Sequence, residues 1–220
     1  MVNPLSSLIG QQFVNTIVLF RNPKCASSTL FSAIGPRNLF WREKKLLDQK
    51  LSGNPKYAGL FDPSHIIPSE AYALFGRGIL NFFSVCCVRN PYDRALSSYF
   101  FARGKNWGRR YGLPDDGNFS AYCEAIYKMR GDKNFWPVIP QTVFSHGVVP
   151  IKCLLRFETL SKDWSNMIKQ FDIKGLCDIL PHENQTQHKP YQEYYGATEK
   201  AIIDELFDED FTKLFYRQVI

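Results

Sequence analysis

The sequence predicts an α/β fold in which a central, mostly parallel sheet is flanked by helices. Three short apolar segments lead to this prediction, because each is followed by a turn and then by a stretch with helix signals. They lie at Asn15 to Phe20, Asn81 to Val88 and Ile151 to Phe157. The chain has 220 residues, 45% of them hydrophobic. That is enough for one buried core, so we expect a single domain over 1–220.

The first segment, NTIVLF, ends at a turn that could bind an anion. Arg21-Asn22-Pro23-Lys24 forms the turn, and the following residues are typical of a helix start. The first N–H groups of a helix have no intrahelical partner and attract anions. Lys24 adds a positive charge. Hydroxyl donors follow on the first turn of the helix: Ser27, Ser28 and Thr29. This pattern indicates a phosphate or sulfate site.

Two other interpretations of this turn stay open. Ser27 could simply cap the helix while Lys24 is solvated. Alternatively, Cys25 could be a nucleophile, since a thiol near a helix N-terminus can have a lowered pKa. A phosphatase loop of the CxxxxxR type would need arginine where the chain has Phe31. The pattern GxxxxGK[ST] and a clear magnesium-binding carboxylate are both missing, so we expect an anion site without a metal.

The second segment repeats this order of elements. Arg89 closes an apolar strand, and the next residues open a helix with Asn90 as cap, Pro91 in the first turn and an acidic residue at Asp93. Taken alone, this motif could be an ordinary capped helix.

The rest of the chain predicts further elements. Ile151 to Phe157 is expected to be a third buried strand. Helices are expected at Lys162 to Phe171, Phe119 to Met129 and Thr198 to Phe207. Three segments look less regular and should gather near strand ends, where open α/β sheets bind ligands: Arg37 to Asp62, Arg103 to Asn118 and His182 to Tyr195.

Both motifs resemble those of sulfotransferases that use 3′-phosphoadenosine 5′-phosphosulfate (PAPS). RNPKCASST, from Arg21 to Thr29, is similar to the family's 5′-phosphosulfate loop. VRNPYDRALSSY, from Val88 to Tyr99, is similar to its 3′-phosphate motif. The nearest branch modifies carbohydrates and includes heparan sulfate 2-O-sulfotransferase and bacterial or viral relatives. Pro140-Gln141, Leu155 to Leu160 and the run from Tyr194 to Tyr216 are similar too, so the resemblance extends from about Thr16 to the end.

The resemblance implies a P-loop-like three-layer fold and PAPS as sulfo donor, with no metal. Lys24 would stabilise the leaving group, and Arg89 with Ser97, eight positions later (97 minus 89), would bind the 3′-phosphate. Lys189 lies in a segment that closes over the nucleotide in relatives, although a solvated lysine is an equal alternative. The implied cofactor-binding residues are Arg21, Lys24, Cys25, Ala26, Ser27, Ser28, Thr29, Arg89, Ser97 and Lys189.

Transfer to a hydroxyl also needs a base, and histidine suits that role because its unperturbed pKa lies near neutrality. The chain has four histidines: His65, His146, His182 and His188. His65, 24 residues before Arg89 (89 minus 65), stands roughly where the 2-O-sulfotransferase branch has its catalytic histidine, so it is the expected base. Glu70 and Asp62 are the fallback bases. His65 could instead be a loop histidine bonded to a backbone group.

The acceptor is expected to be a glycan. Cations alternate with aromatic rings after the second motif, a mixture that suits an anionic sugar and would equally suit single-stranded nucleic acid or a solvated loop. The residues are Arg103, Lys105, Trp107, Arg109, Arg110 and Tyr111. The net charge of +6 fits an anionic ligand but decides little by itself.

Composition favours a protein of the cytoplasm. We expect no membrane span or export signal, since no apolar run approaches the roughly 18 residues that a spanning helix needs. The six cysteines form no CxxC pair, which favours a reducing compartment. Two other functions remain open, a P-loop small-molecule kinase and a non-catalytic nucleotide- or nucleic-acid-binding module, although nucleic acid is not the expected partner.

Overall fold

The computed structural model describes residues 16–51, 53, 65–104, 117–181 and 188–219. This part of the chain divides into two compact units. Unit 1 lies within Met1–Val88 and Val143–Asn184, and unit 2 within Arg89–Thr142 and Gln185–Ile220. The single domain expected over 1–220 stays a prediction.

The strands of the described chain all belong to unit 1. They are β1 (Ile17–Phe20), β2 (Phe83–Val88) and β3 (Cys153–Arg156), in the order β1-β2-β3. Both neighbouring pairs are parallel, with Ile17 opposite Phe83 and Val85 opposite Cys153. The prediction of an α/β fold with a parallel sheet is therefore confirmed.

Ten α-helices lie in the described ranges. In chain order they are α1 (Ser27–Ile34), α2 (Leu39–Arg42), α3 (Lys44–Leu51), α4 (Pro68–Phe75), α5 (Pro91–Gly104), α6 (Phe119–Lys128), α7 (Thr142–Ser145), α8 (Leu160–Gln170), α9 (Ala197–Leu206) and α10 (Asp208–Lys213). Short 3-10 helices lie at Gly35–Arg37, Gly76–Asn81, Trp136–Val138, Phe157–Thr159 and Tyr191–Tyr194. The three helices predicted after residue 118 are confirmed, as α6, α8 and α9.

Helices cover both faces of the sheet in unit 1, because strand side chains alternate between its faces. On one face, Leu19 and its neighbours pack against Leu30 of α1 and Trp164 of α8. On the other face, the Phe20 ring lies 5.7 Å from the Phe40 ring of α2. Phe40 in turn lies 6.1 Å from Phe75 of α4. The predicted flanking helices are thus confirmed.

The third strand differs from the prediction of a buried strand. Leu155 is fully buried in β3, but Leu154 keeps 38% of its surface exposed. Among the described strands, β3 pairs with β2 alone, so it forms an edge of the sheet. The prediction that this strand is buried is therefore wrong. Its apolar composition does not show whether the strand lies at the centre or at the edge of the sheet.

Part of the segment from Arg37 to Asp62, expected to be less regular, is helical. Asn38 starts α2, and its side-chain oxygen accepts a hydrogen bond from the Phe40 N–H at 3.1 Å. Helix α3 follows directly. The missed signal is this asparagine cap before Leu39. Asp62 lies outside the described residues.

Unit 2 is a helical body with an aromatic core. Its buried cluster joins side chains of α5, α6, α9 and α10. Tyr92 is fully buried there, and its carbonyl accepts a hydrogen bond from the Tyr195 hydroxyl at 2.7 Å. The Tyr92 hydroxyl donates to Asp204. These bonds satisfy the hydroxyls of Tyr92 and Tyr195, whose burial would otherwise be costly.

Across the described ranges, no helix is both long enough and apolar enough to cross a bilayer.

Candidate functional site

The loop after β1 is tied to the end of β2. The Asn22 N–H donates to the Phe20 carbonyl at 3.1 Å. Its side-chain Nδ2 donates to the Cys87 carbonyl, also at 3.1 Å. Neighbouring parallel strands have their carboxyl ends on the same side of a sheet. This pair of bonds therefore anchors the loop beside the carboxyl ends of β1 and β2.

Two residues of this loop have left-handed backbone conformations that L-residues rarely adopt. They are Lys24 with φ of 64° and Ala26 with φ of 54°. Each costs about 1 kcal/mol or more relative to a right-handed residue. A left-handed residue next to right-handed ones turns successive backbone N–H groups toward one side, a geometry that binds anions.

Helix α1 begins without a side-chain cap. Its cap position is Ala26, whose methyl group cannot accept a hydrogen bond, and its first turn contains no acidic residue. The interpretation of Ser27 as the cap is therefore wrong, because Ser27 is already helical. Leu30 is the first residue of α1 whose N–H pairs back into the turn, with the Ala26 carbonyl at 3.0 Å. The N–H groups before it and the helix dipole favour a negative charge here.

The side chains of the loop divide into buried and accessible sets. Cys25 is fully buried in the core of unit 1, and its thiol donates to the Pro23 carbonyl at 3.5 Å. A buried thiol turned toward its own loop does not favour Cys25 as a nucleophile. Thr29 is also buried, whereas Lys24, Ser27 and Ser28 are partly exposed. Ala26 is partly exposed too, so its contribution to ligand binding would come from the backbone.

The Arg21 guanidinium stacks on an aromatic ring. Its central carbon lies 4.4 Å from the ring centroid of Phe31, one turn beyond Ser27 on α1. Arg21 is nearly buried. A cation–π contact of this kind restrains the side chain and keeps its charge beside the start of the helix.

The structure brings His65 to the same loop. Its Nδ1 lies 2.6 Å from the Arg21 carbonyl oxygen, 44 residues away in sequence. A carbonyl oxygen can only accept a hydrogen bond, so Nδ1 must carry the proton. In the neutral ring, Nε2 is then the basic nitrogen. His65 is partly buried, in unit 1.

The other candidate bases have structural partners. The Glu70 carboxylate accepts a hydrogen bond from the Ile67 N–H at 3.1 Å and so caps α4. His146 is exposed and lies 3.0 Å from the Ser145 hydroxyl. The His188 ring stacks on Phe100 in unit 2, with centroids 5.2 Å apart. His182 lies outside the described residues.

Arg89, the first residue after β2, is buried and closely held. Asp93 Oδ2 accepts a hydrogen bond from Arg89 Nε at 2.7 Å, which sets the plane of the guanidinium. The predicted helix start is confirmed. Asn90 caps the helix by accepting from the Tyr92 N–H at 2.9 Å, and α5 begins at Pro91.

Gln141 holds the backbone of Arg89 at both polar groups. Its Oε1 accepts from the Arg89 N–H and its Nε2 donates to the Arg89 carbonyl, each at 2.8 Å. Gln141 and the Arg89 backbone are buried. Sequence reasoning assigned Gln141 no role, since only its place in the Pro140-Gln141 similarity singled it out. A contact between residues that are 52 positions apart has no local sequence signature.

Ser97 and Lys189 have different surroundings within unit 2. Ser97 is buried on α5, one turn after Asp93 and so on the same helix face. Lys189 is exposed, and its ammonium lies 3.0 Å from a Glu193 carboxylate oxygen. That hydrogen bond raises the pKa of Lys189. A phosphate at Lys189 would compete with Glu193.

Most of the basic and aromatic loop lies outside the described residues. Arg103, at the end of α5, is described, and its guanidinium donates to the Tyr99 hydroxyl at 3.0 Å. Lys105, Trp107, Arg109, Arg110 and Tyr111 are not described.

Comparison of the chain with protein-family models, with curated proteins and with solved structures finds no match. Function is therefore inferred from the residues of the two motifs. In the described residues, no group of three or more His, Cys, Asp or Glu side chains could hold a metal ion. Unit 1 therefore offers a helix start whose dipole favours an anion, a lysine cation, and a histidine whose basic nitrogen is Nε2.

Proposed function

We propose that this protein is a sulfotransferase that moves a sulfo group from PAPS to an acceptor hydroxyl, and that the hydroxyl belongs to a carbohydrate. The observation that carries the proposal is the loop of unit 1. Residues 21–27 include Lys24 and the uncapped start of α1, and His65 contacts the carbonyl oxygen of Arg21 in the same segment. A P-loop-like arrangement of the sheet is part of the same proposal.

The loop suits the 5′-phosphosulfate. Backbone N–H groups at the start of α1 and the partly exposed hydroxyls of Ser27 and Ser28 would bind its oxygens. The buried Thr29 would support that turn. Lys24 would stabilise the charge that develops on the oxygen bridging sulfur and phosphorus. Arg21, stacked on Phe31, adds a second cation to the loop.

Arg89 and Ser97 would bind the 3′-phosphate. A guanidinium presents donors in a plane that matches phosphate geometry. Asp93 and Gln141 hold Arg89 in one orientation before any ligand arrives, which lowers the entropy cost of binding. Selection of PAPS over nucleotides without a 3′-phosphate would depend on this pair.

The reaction would be an in-line displacement. The acceptor oxygen forms a bond to sulfur while the bond from sulfur to the 5′-phosphate oxygen breaks. His65 Nε2 takes the hydroxyl proton, and the electron pair of the broken bond leaves on the 5′-phosphate of 3′-phosphoadenosine 5′-phosphate (PAP). The Arg21 carbonyl would stabilise the resulting imidazolium through Nδ1–H.

A carbohydrate acceptor is proposed from the resemblance to carbohydrate sulfotransferases and from the basic, aromatic run from Arg103 to Tyr111. We also propose a cytoplasmic location, because none of the six cysteines, all of which lie in the described ranges, forms a disulfide.

Thermal-shift measurements test the donor site. We expect PAP without magnesium to raise the melting temperature more than adenosine 5′-phosphate (AMP) does at equal concentration. A larger shift by ATP with magnesium would point to a kinase. A salt-dependent shift by oligonucleotides alone would point to a nucleic-acid-binding module. Transfer of labelled sulfate from PAPS to glycans, phenols and lipids would then identify the acceptor.

A further inference from the structure

A buried acid holds the residue next to Gln141 in unit 2. Asp210 is completely buried, and its Oδ1 accepts from the Thr142 N–H at 3.1 Å. Gln141 also lies close enough to Asp210 to lower the pKa of its carboxyl group. An ionised Asp210 can only accept hydrogen bonds, so it favours the amide orientation that turns Nε2 of Gln141 toward it and leaves Oε1 for the Arg89 N–H.

The buried Arg94 offsets the charge of Asp210. Its positive charge favours the ionised carboxylate, although burial is the larger effect and raises the pKa of Asp210 above its ordinary value. Arg94 Nη2 donates to the Ile139 carbonyl at 3.0 Å, just before Gln141. The short segment that carries Gln141 is therefore held through Ile139 and through Asp210.

We propose that Gln141, oriented by Asp210, is a positioning residue that aims Arg89 and so sets the preference for a nucleotide with a 3′-phosphate. The inference rests on the proposed function, since it concerns how Arg89 recognises that phosphate. Gln141 itself bonds to the Arg89 backbone and acts through it. If the backbone of Arg89 can shift, its guanidinium no longer holds its planar set of donors in the position that matches a phosphate.

The experiment measures the ratio of the dissociation constants of AMP and PAP by calorimetry on the full chain. Gln141→Met keeps the approximate side-chain volume and removes both hydrogen bonds to the Arg89 backbone. We expect this variant to lower the ratio about tenfold or more through weaker PAP binding, with AMP affinity changed less than about twofold. Gln170→Met, at an exposed position on α8, is the matched control and should keep the wild-type ratio.

A second variant tests the same proposal in case Gln141→Met does not fold. Gln141→Met leaves two buried backbone groups of Arg89 without their partner and could unfold. Asp210→Asn keeps an oxygen for the Thr142 N–H but removes the charge that orients the Gln141 amide. We expect it to lower the ratio several-fold while circular dichroism stays native.

The outcomes separate the two proposals. If the wild-type protein does not prefer PAP over AMP, the proposed function fails. If it does prefer PAP, and the folded Gln141 or Asp210 variant keeps that ratio within about twofold, the positioning role is refuted. A purely structural role would weaken PAP and AMP binding alike and leave the ratio unchanged, which also refutes it.

Discussion

At His65, one hydrogen bond selects which ring nitrogen can act as a base. The Arg21 carbonyl requires the proton on Nδ1, so the neutral ring presents its lone pair at Nε2. A carbonyl also stabilises the imidazolium that proton transfer would create. Histidine bases in other enzymes are oriented by a partner on the second nitrogen in the same way.

Replacing His65 separates its role in turnover from a role in binding. We expect His65→Ala to lower kcat by about two orders of magnitude, since a positioned base contributes roughly that much. PAP affinity should change less than about twofold, because the ring is proposed to contact the acceptor and not the nucleotide. Steady-state kinetics and calorimetry measure the two quantities. The exposed His146→Ala is the control, and full turnover in His65→Ala would remove His65 from the mechanism.

The thiols should react with a disulfide reagent at very different rates. Burial, with the nearby Asp163 charge as a smaller effect, raises the pKa of Cys153 to about 11. At pH 8, about one Cys153 in a thousand is then thiolate, the reactive form. The exposed Cys177 should therefore react first in the native protein, and Cys177→Ser should remove the fast phase. A fast phase that survives in Cys177→Ser would contradict this order.

At the scale of the element, the start of α1 departs from the usual design of a helix. Most helices begin at a polar cap in extended conformation, whereas α1 begins at a left-handed alanine. The departure costs stability, and within the described residues the cap position makes no side-chain hydrogen bond to the first turn of the helix. Strain of this kind is common at ligand sites, where the ligand supplies the missing partner.

Glycine at position 26 should relieve this strain. Ala26→Gly is expected to raise the free energy of unfolding by about 0.5 kcal/mol, since relief of the left-handed conformation exceeds the added entropy of the unfolded chain. Ala33→Gly on the same helix is the matched control and should lower that free energy by about 1 kcal/mol. Urea denaturation measures both. Equal destabilisation by the two substitutions would contradict a left-handed Ala26.

Several elements were predictable because their signals are local. The apolar runs at β1 and β2, and the Asn90, Pro91 and Asp93 sequence at α5, appear where the pattern placed them. Helix α4 was not predicted, although Pro68 and Glu70 stand at positions typical of a helix start. The burial of β3 was predicted wrongly, because an edge position depends on strand order.

At the scale of the whole molecule, an excess of positive charge should speed the approach of an anionic nucleotide. The net charge is +6, and PAP carries several negative charges. Fields of this kind act over distances comparable to the Debye length, about 10 Å at 0.1 M salt. They change association rates more than dissociation rates.

Salt should therefore act mainly on association. Between 50 and 500 mM NaCl we expect the association rate constant of PAP to fall about tenfold, with the dissociation rate constant changed less than about twofold. Stopped-flow tryptophan fluorescence measures both. Adenosine, which has no charge, is the control ligand. A salt effect confined to dissociation would show that local contacts dominate and that the overall charge has little influence.

The sequence by itself determined the α/β class, the two strand, turn and helix motifs, and the residues proposed to bind an anion. These properties follow from periodicity, caps and turn residues, which act within a few positions of the chain. Only the tertiary structure decided that His65 contacts the Arg21 carbonyl and that the Gln141 side chain is hydrogen-bonded to the Arg89 backbone. It also excluded Ser27 as the cap of α1. Such contacts join residues 44 and 52 positions apart, and distant pairs form only when packing brings their elements together.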